Sequence, residues 1–154
     1  MDLKRQTQQG FTLIELLVVV AIIGLLSSAI LVGMGNARIR ARDARRLSDV
    51  QQVKSGLDVH YNVASGYPST ADWNTAQSAS AFLTCSGQNT VKPPQDPTAA
   101  QVYAYTQGGN STTGCATTVY SDYKLEFTTE GATTIGPAGV YYLSPRGITT
   151  TPPF

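Results

Sequence analysis

Between Leu16 and Ala37 the chain carries no charged side chain, and that run constrains everything that follows it. As a helix rising about 1.5 Å per residue it is roughly 33 Å long. A bilayer's hydrocarbon core is about 30 Å thick, so the run is long enough to cross one. One carboxylate, Glu15, stands at its entrance, just behind a short charged leader. An acid inside a membrane helix costs on the order of 2.5–3.5 kcal/mol at the centre and marks a functional position by default. The residues beyond the run suffice for one small core, so a single modest domain is expected there.

Charge and cysteine placement say where that domain belongs. The formal net charge is +1 over 154 residues, too near neutral to indicate a nucleic-acid partner. Its distribution is uneven: Arg38, Arg40, Arg42, Arg45 and Arg46 follow the apolar run as a basic collar, and a mildly acidic domain follows the collar. Counted alone, that collar would sit on the cytoplasmic side, since only Lys4 and Arg5 stand on the other flank. Cys85 and Cys115 lie in sequence rich in Ser, Thr and Gly. In an exported domain they read as one disulfide, closing a loop of about 30 residues and stabilising by roughly 3.5 kcal/mol. In a cytosolic domain they read as two free thiols.

The N-terminus admits two processing schemes. An ordinary secretory signal would use Ser27-Ser28-Ala29 as its small-residue cleavage site and release a secreted or membrane-anchored binding domain. Against it, the apolar run continues through Ile30-Leu31-Val32, and an acid lies at its front. The stretch GFTLIELLVVVAIIGLL, residues 10–26, resembles the N-terminal methylation motif of type IV pilins and of the pseudopilins of type II secretion. The resemblance implies that Gly10 is the last leader residue, cut by the prepilin peptidase. Phe11 would then be the N-methylated new N-terminus, and Glu15 the acid that pairs with the Phe11 amine of a neighbouring subunit. Glycine lets an extended backbone enter a protease site without a side-chain clash. In low dielectric an amine and a carboxylate attract strongly, so pairing them sets register. Thr12-Leu13-Ile14-Glu15 is also a capping-box pattern, which alone would place a Glu in a first helical turn.

The resemblance implies a pilin fold, an α+β architecture with one long N-terminal helix and a small antiparallel sheet on its C-terminal half. Gly24 matches a family glycine. Gly24, Gly33 and Gly35 are the expected points of helix flexibility, and since this chain has Val32 where many pilins carry proline, local unwinding would centre on Gly33 and Gly35. Leu47, Val50, Val53, Leu57, Tyr61 and Ala64 recur at three- and four-residue steps, which extends one helix from Phe11 to Val63, roughly 80 Å long. Ser65-Gly66-Tyr67-Pro68 ends it, with Gly66 as the C-terminal cap. The arginine collar reads as solvated side chains reaching headgroups or water, or as contacts to acids of neighbouring subunits, ahead of DNA phosphates. Next come a loop-rich stretch and a short helix over Thr75–Leu83. Strands are expected at Gln101–Gln107, Thr117–Thr128 and Val140–Ser144, with a turn at Gly108-Gly109-Asn110-Ser111. The organisation is thus a leader (1–10), a membrane or filament-core half-helix (11–37), an amphipathic half-helix (38–63), a globular domain (64–148) and a mobile tail (149–154).

Nothing in the sequence builds an active site. His60 is the sole histidine and reads as a helix-flank residue. Asp72, Asp96 and Asp122 lack metal-loop spacing, so neither a metal nor a cofactor is expected. Major pseudopilins bind calcium in a C-terminal loop, and residues 131–154 contain no acid. That favours a pilus subunit over a secretion or DNA-uptake pseudopilin. Asn110-Ser111-Thr112 is a glycosylation sequon that reads as a plain polar loop. The eight tyrosines read as sheet packing. The expected protein is no enzyme. It is a type IV pilus subunit with itself, the prepilin peptidase, the assembly machinery and the membrane as partners. It begins in the inner membrane with its C-terminal domain outside and ends in a cell-surface filament.

Overall fold

A computed structural model describes residues 10–98 and 101–154, apart from the side chains of residues 31–33. The charged leader, residues 1–9, and the surroundings of Val32 and Gly33 therefore lie outside the described residues. The chain divides into two compact units, one ending at Arg38 and one spanning Ile39–Phe154. Helix α1 (Leu13–Ala64) supplies the first and opens the second.

In the second unit α1 buries Val50, Val53 and Leu57, and then His60 and Ala64. Tyr61, expected on this face, is 42% exposed, and His60 takes the inward place. The imidazole has a reason to point in, because its Nδ1 lies 2.9 Å from Thr90 Oγ1. The helix stops at Ser65, whose φ is 59° and whose N–H donates to the Tyr61 carbonyl at 2.8 Å. The left-handed cap is therefore Ser65 and not Gly66. Gly66 serves a close approach instead, since a Cβ there would stand 2.5 Å from Val119 Cγ2.

The second helix starts earlier than its sequence pattern suggests. Helix α2 covers Thr70–Ser78 because Ser69 caps it: the Asp72 N–H donates to Ser69 Oγ at 3.1 Å, and the Ser69 hydroxyl donates to Asp72 Oδ2 at 2.8 Å. Trp73 and Ala76, three residues apart, form its buried face. Of the residues expected as helix beyond Ser78, 79–82 form a turn and loop, and Leu83 opens β1 (Leu83–Cys85), paired antiparallel with β2 (Gln88–Val91) across Ser86-Gly87, both at positive φ.

The main sheet is an antiparallel meander of β3 (Ala104–Gly114), β4 (Thr117–Thr129), β5 (Gly139–Ser144) and β6 (Gly147–Thr149). The α+β arrangement of one long helix followed by a small antiparallel sheet is thus present. Its first hairpin turns at Cys115-Ala116, with φ of 52° and 64°. The glycine-rich stretch expected as the turn lies inside β3 as a bulge, where register shifts between Gly108 and Ser111. Tyr103 and Tyr105 point inward while Val102 is 68% exposed. Trp73 stacks on Tyr105 at 4.6 Å between ring centroids, and Tyr123 meets Tyr67 edge-on at 4.6 Å. The segment read as a tail carries Phe154 against Gly108, with Lys124 Nζ 5.0 Å from the ring centroid.

Candidate assembly segment

Gly10, Phe11 and Thr12 precede the helix, and every residue from Gly10 to Ile30 is exposed. Phe11 is 92% exposed, Leu13 80% and Ile14 71%. The helix contains a window of mean hydropathy 2.8 with none of it buried, long and apolar enough to cross a membrane. So much continuous apolar area facing outward has to be covered by lipid or by protein. Gly24 and Gly35 have open space where a side chain would project, and the helix runs unbroken through both.

At the entrance, Glu15 and Thr12 form a reciprocal cap. Glu15 Oε2 accepts the Thr12 N–H at 2.9 Å and the Thr12 hydroxyl at 2.8 Å, and the Glu15 N–H donates to Thr12 Oγ1 at 3.3 Å. The carboxylate therefore spends Oε2 on its own helix start. Among the described residues Oε1 accepts nothing, which leaves one oxygen for a donor from outside.

The collar is only partly a collar. Arg38, Arg40 and Arg45 are exposed, but Arg46 is fully buried. Its Nε and Nη2 grip Asp96 at 2.8 and 2.9 Å, Nη2 also donates to Thr98 Oγ1 at 3.1 Å, and Nη1 meets Asp43 at 2.8 Å and Glu130 at 2.7 Å. Arg42 makes a forked pair with Glu130. Asp43 in turn accepts the backbone N–H groups of Glu130 at 3.0 Å and Gly131 at 2.7 Å. Hydrogen bonds from Arg42 and Arg46 hold the Glu130 carboxyl down at about 2. Hydrogen bonding to Asp96 raises Arg46 above its ordinary value, against the effect of burial. Three carboxylates thus converge on guanidinium groups, which corrects the picture of solvated arginines: Arg42 and Arg46 tie the helix to the 96–98 loop and to the end of β4. The Asp43-Arg46 spacing of three was the one visible hint of this cluster.

Of the scattered acids, Asp72 accepts the hydroxyl of the α2 cap Ser69, Asp96 grips Arg46, and Asp122 lies 3.8 Å from Arg146. Among the described residues no group of three or more His, Cys, Asp or Glu is placed to hold a metal ion. Cys85 and Cys115 are joined as a disulfide, linking the end of β1 to the tip of the β3–β4 hairpin.

Residues 5–31 match the family model of the prokaryotic N-terminal methylation motif. The chain is 35% identical over 68 residues to the type II secretion system core protein G of Klebsiella michiganensis, covering 44% of this chain and 48% of that protein. It is 35% identical over 63 residues to the protein of that name from Pectobacterium carotovorum subsp. carotovorum, covering 41% and 40%, and 29% identical over 68 residues to that of Aeromonas hydrophila, covering 44% and 48%. The chain therefore spans less than half the length of these curated relatives. They are named as secretion-system core proteins and none as an enzyme. No solved structure matches the chain. With an α+β pilin-like fold behind that motif, the chain is recognised by its N-terminal segment as similar to the type IV pilins and type II secretion pseudopilins.

Proposed function

We propose that this chain is a structural subunit of the pseudopilin type, built into a short helical filament that serves a secretion machine. Residues 1–10 would be its leader, removed after Gly10 by a prepilin peptidase. Phe11 would be N-methylated, and residues 11–37 would sit first in the cytoplasmic membrane and then among copies of themselves. The observation that carries this reading is the uncovered apolar segment from Phe11 to Ile30, within the matched methylation motif. Leaving lipid costs burial that neighbouring helices restore, and a head-to-tail contact of this kind does not close, which is what a fibre requires. Glu15 Oε1 would then take the Phe11 amine of the next subunit and set the register. The disulfide supports a globular unit outside the cytoplasm.

The names of the relatives favour this reading over a type IV pilus. The pilus remains the second reading on one observation, the absence of any acid in residues 131–154, where a pseudopilin's calcium loop would be. Electron microscopy of producing cells separates the two: long surface fibres support the pilus, and their absence alongside impaired secretion in a deletion strain supports the pseudopilin. Mass spectrometry of the mature protein tests both. A methylated Phe11 is expected, while a chain beginning at Ile30 would overturn filament assembly and return the protein to a secreted domain. A Glu15→Leu subunit is expected to insert and be processed but to lose filament yield, and normal yield would remove the register role.

A further inference from the structure

We propose that Arg38, Arg40 and Arg45 form a girdle that docks anionic phospholipid headgroups, which rests on the reading that places residues 11–37 in a membrane. All three are exposed, whereas Arg42 and Arg46 are engaged with Glu130 and Asp96. Among the described residues Arg38 and Arg40 pair with no carboxylate, and Arg45 comes only to 4.0 Å from Asp49 with 67% of its side chain exposed. The acids that could have answered them are taken. Asp43 and Asp96 are buried against Arg46, and Glu130 is gripped by Arg42 and Arg46. The exposed side chains of residues 38–45 therefore carry three positive charges and no negative one.

Their place along the chain matches where lipid phosphates lie. Arg38 is the first charge after the uncharged run, and Arg45 stands eight residues beyond Ala37, roughly 12 Å of helix. The polar layer of a bilayer adds about 5–7 Å on each side of the hydrocarbon core. Helical side chains lean back towards the N-terminus, here towards the apolar run, so a long arginine stem carries each guanidinium to the headgroup level. Their arrangement around the helix favours lipid over protein. At about 100° per residue Arg38 and Arg45 lie within about 20° of each other, and Arg40 lies about 160° from Arg38. The buried stripe of Asp43, Arg46, Val50, Val53 and Leu57 runs between them. A docked protein meets one flank of a helix, whereas headgroups meet both. A net negative headgroup answers three unpaired cations, while a zwitterionic one brings an ammonium of its own against them.

The test uses the full chain reconstituted in phosphatidylcholine bilayers with a trace of spin-labelled phosphatidylglycerol or spin-labelled phosphatidylcholine. Electron spin resonance reads the fraction of each label held at the protein surface. Phosphatidylglycerol is expected to be favoured about threefold or more at low ionic strength. That preference is expected to collapse in about 1 M salt, where the screening length is roughly 3 Å. Lys4 and Arg5 flank the other end of the run, so variants assign the effect. Arg38→Gln/Arg40→Gln/Arg45→Gln is expected to remove most of the preference with an unchanged urea midpoint, and Lys4→Gln/Arg5→Gln to keep most of it. A preference that survives the triple variant, persists in high salt or disappears in the leader variant overturns the proposal. Equal retention of both labels overturns it and leaves the membrane reading standing; chemical cross-links between copies that the triple variant loses would then assign the arginines to a neighbouring subunit. Retention of neither label overturns the membrane reading itself, and the proposal with it.

Discussion

Gly114 lies where the sheet approaches the end of the helix closely. A Cβ there would fall inside contact distance of the Ala64 carbonyl oxygen and 3.0 Å from Val119 Cγ2. Its neighbours Cys115 and Ala116 hold the left-handed region without being glycine, a strain the surrounding contacts have to offset. Gly114→Ala is expected to destabilise the domain by about 1–3 kcal/mol, read as a lowered urea midpoint. Gly139→Ala, with nothing within 4 Å of the added carbon, is expected to change it by about 0.5 kcal/mol or less. Such positions are not legible in advance. Cys115-Ala116 lacks the Asn-Gly or Asp-Gly signature of its turn, whereas Gly108-Gly109 has turn composition and lies in a strand. The observed turn is held by the Cys85–Cys115 disulfide and lies against the Ala64 carbonyl, and neither contact is local in sequence.

Among the elements, α1 is the most legible in the sequence and the β1–β2 hairpin the least. The apolar run and the three- and four-residue spacing define α1 nearly to its ends, because both signals are periodic along one stretch of chain. The inward turn of His60 in place of Tyr61 depended on Thr90, 30 residues away. Hairpin β1–β2 was missed because Ser86, Gly87, Gln88 and Asn89 look like loop. The carboxylates that answer Arg46 and Arg42 are likewise remote, Asp96 lying 50 residues from Arg46 and Glu130 lying 88 from Arg42. A guanidinium buried among three acids is costly to break, so Arg46→Ala is expected to lower stability by about 3–5 kcal/mol. Arg46→Lys is expected to rescue only part of this, since an ammonium cannot make the forked grip on Asp96. Denaturant titration of the two variants checks both statements.

For the molecule as a whole, the first unit is, among its described residues, exposed surface with no buried side chain, and the second holds the small core, so acid acts on the second. His60 is held below its ordinary 6.5 by burial. The unfolded chain therefore takes up that proton first, and stability falls as the pH drops below 6.5. Glu130 is held at about 2 against an ordinary 4.5, so its contribution is complete above 4.5 and is lost as the pH falls from there towards 2. Asp49 works in the opposite sense, since desolvation raises it. The expected profile is a two-stage loss of urea midpoint on acidification. His60→Gln is expected to remove the first stage and Glu130→Gln to flatten the second, and a midpoint independent of pH would contradict the assignment. These measurements have a built-in reporter. The chain's sole tryptophan, Trp73, is fully buried and stacked on Tyr105. Its emission therefore follows the melting of the globular unit alone, unaffected by whether the apolar helix is held by detergent, by lipid or by copies of itself.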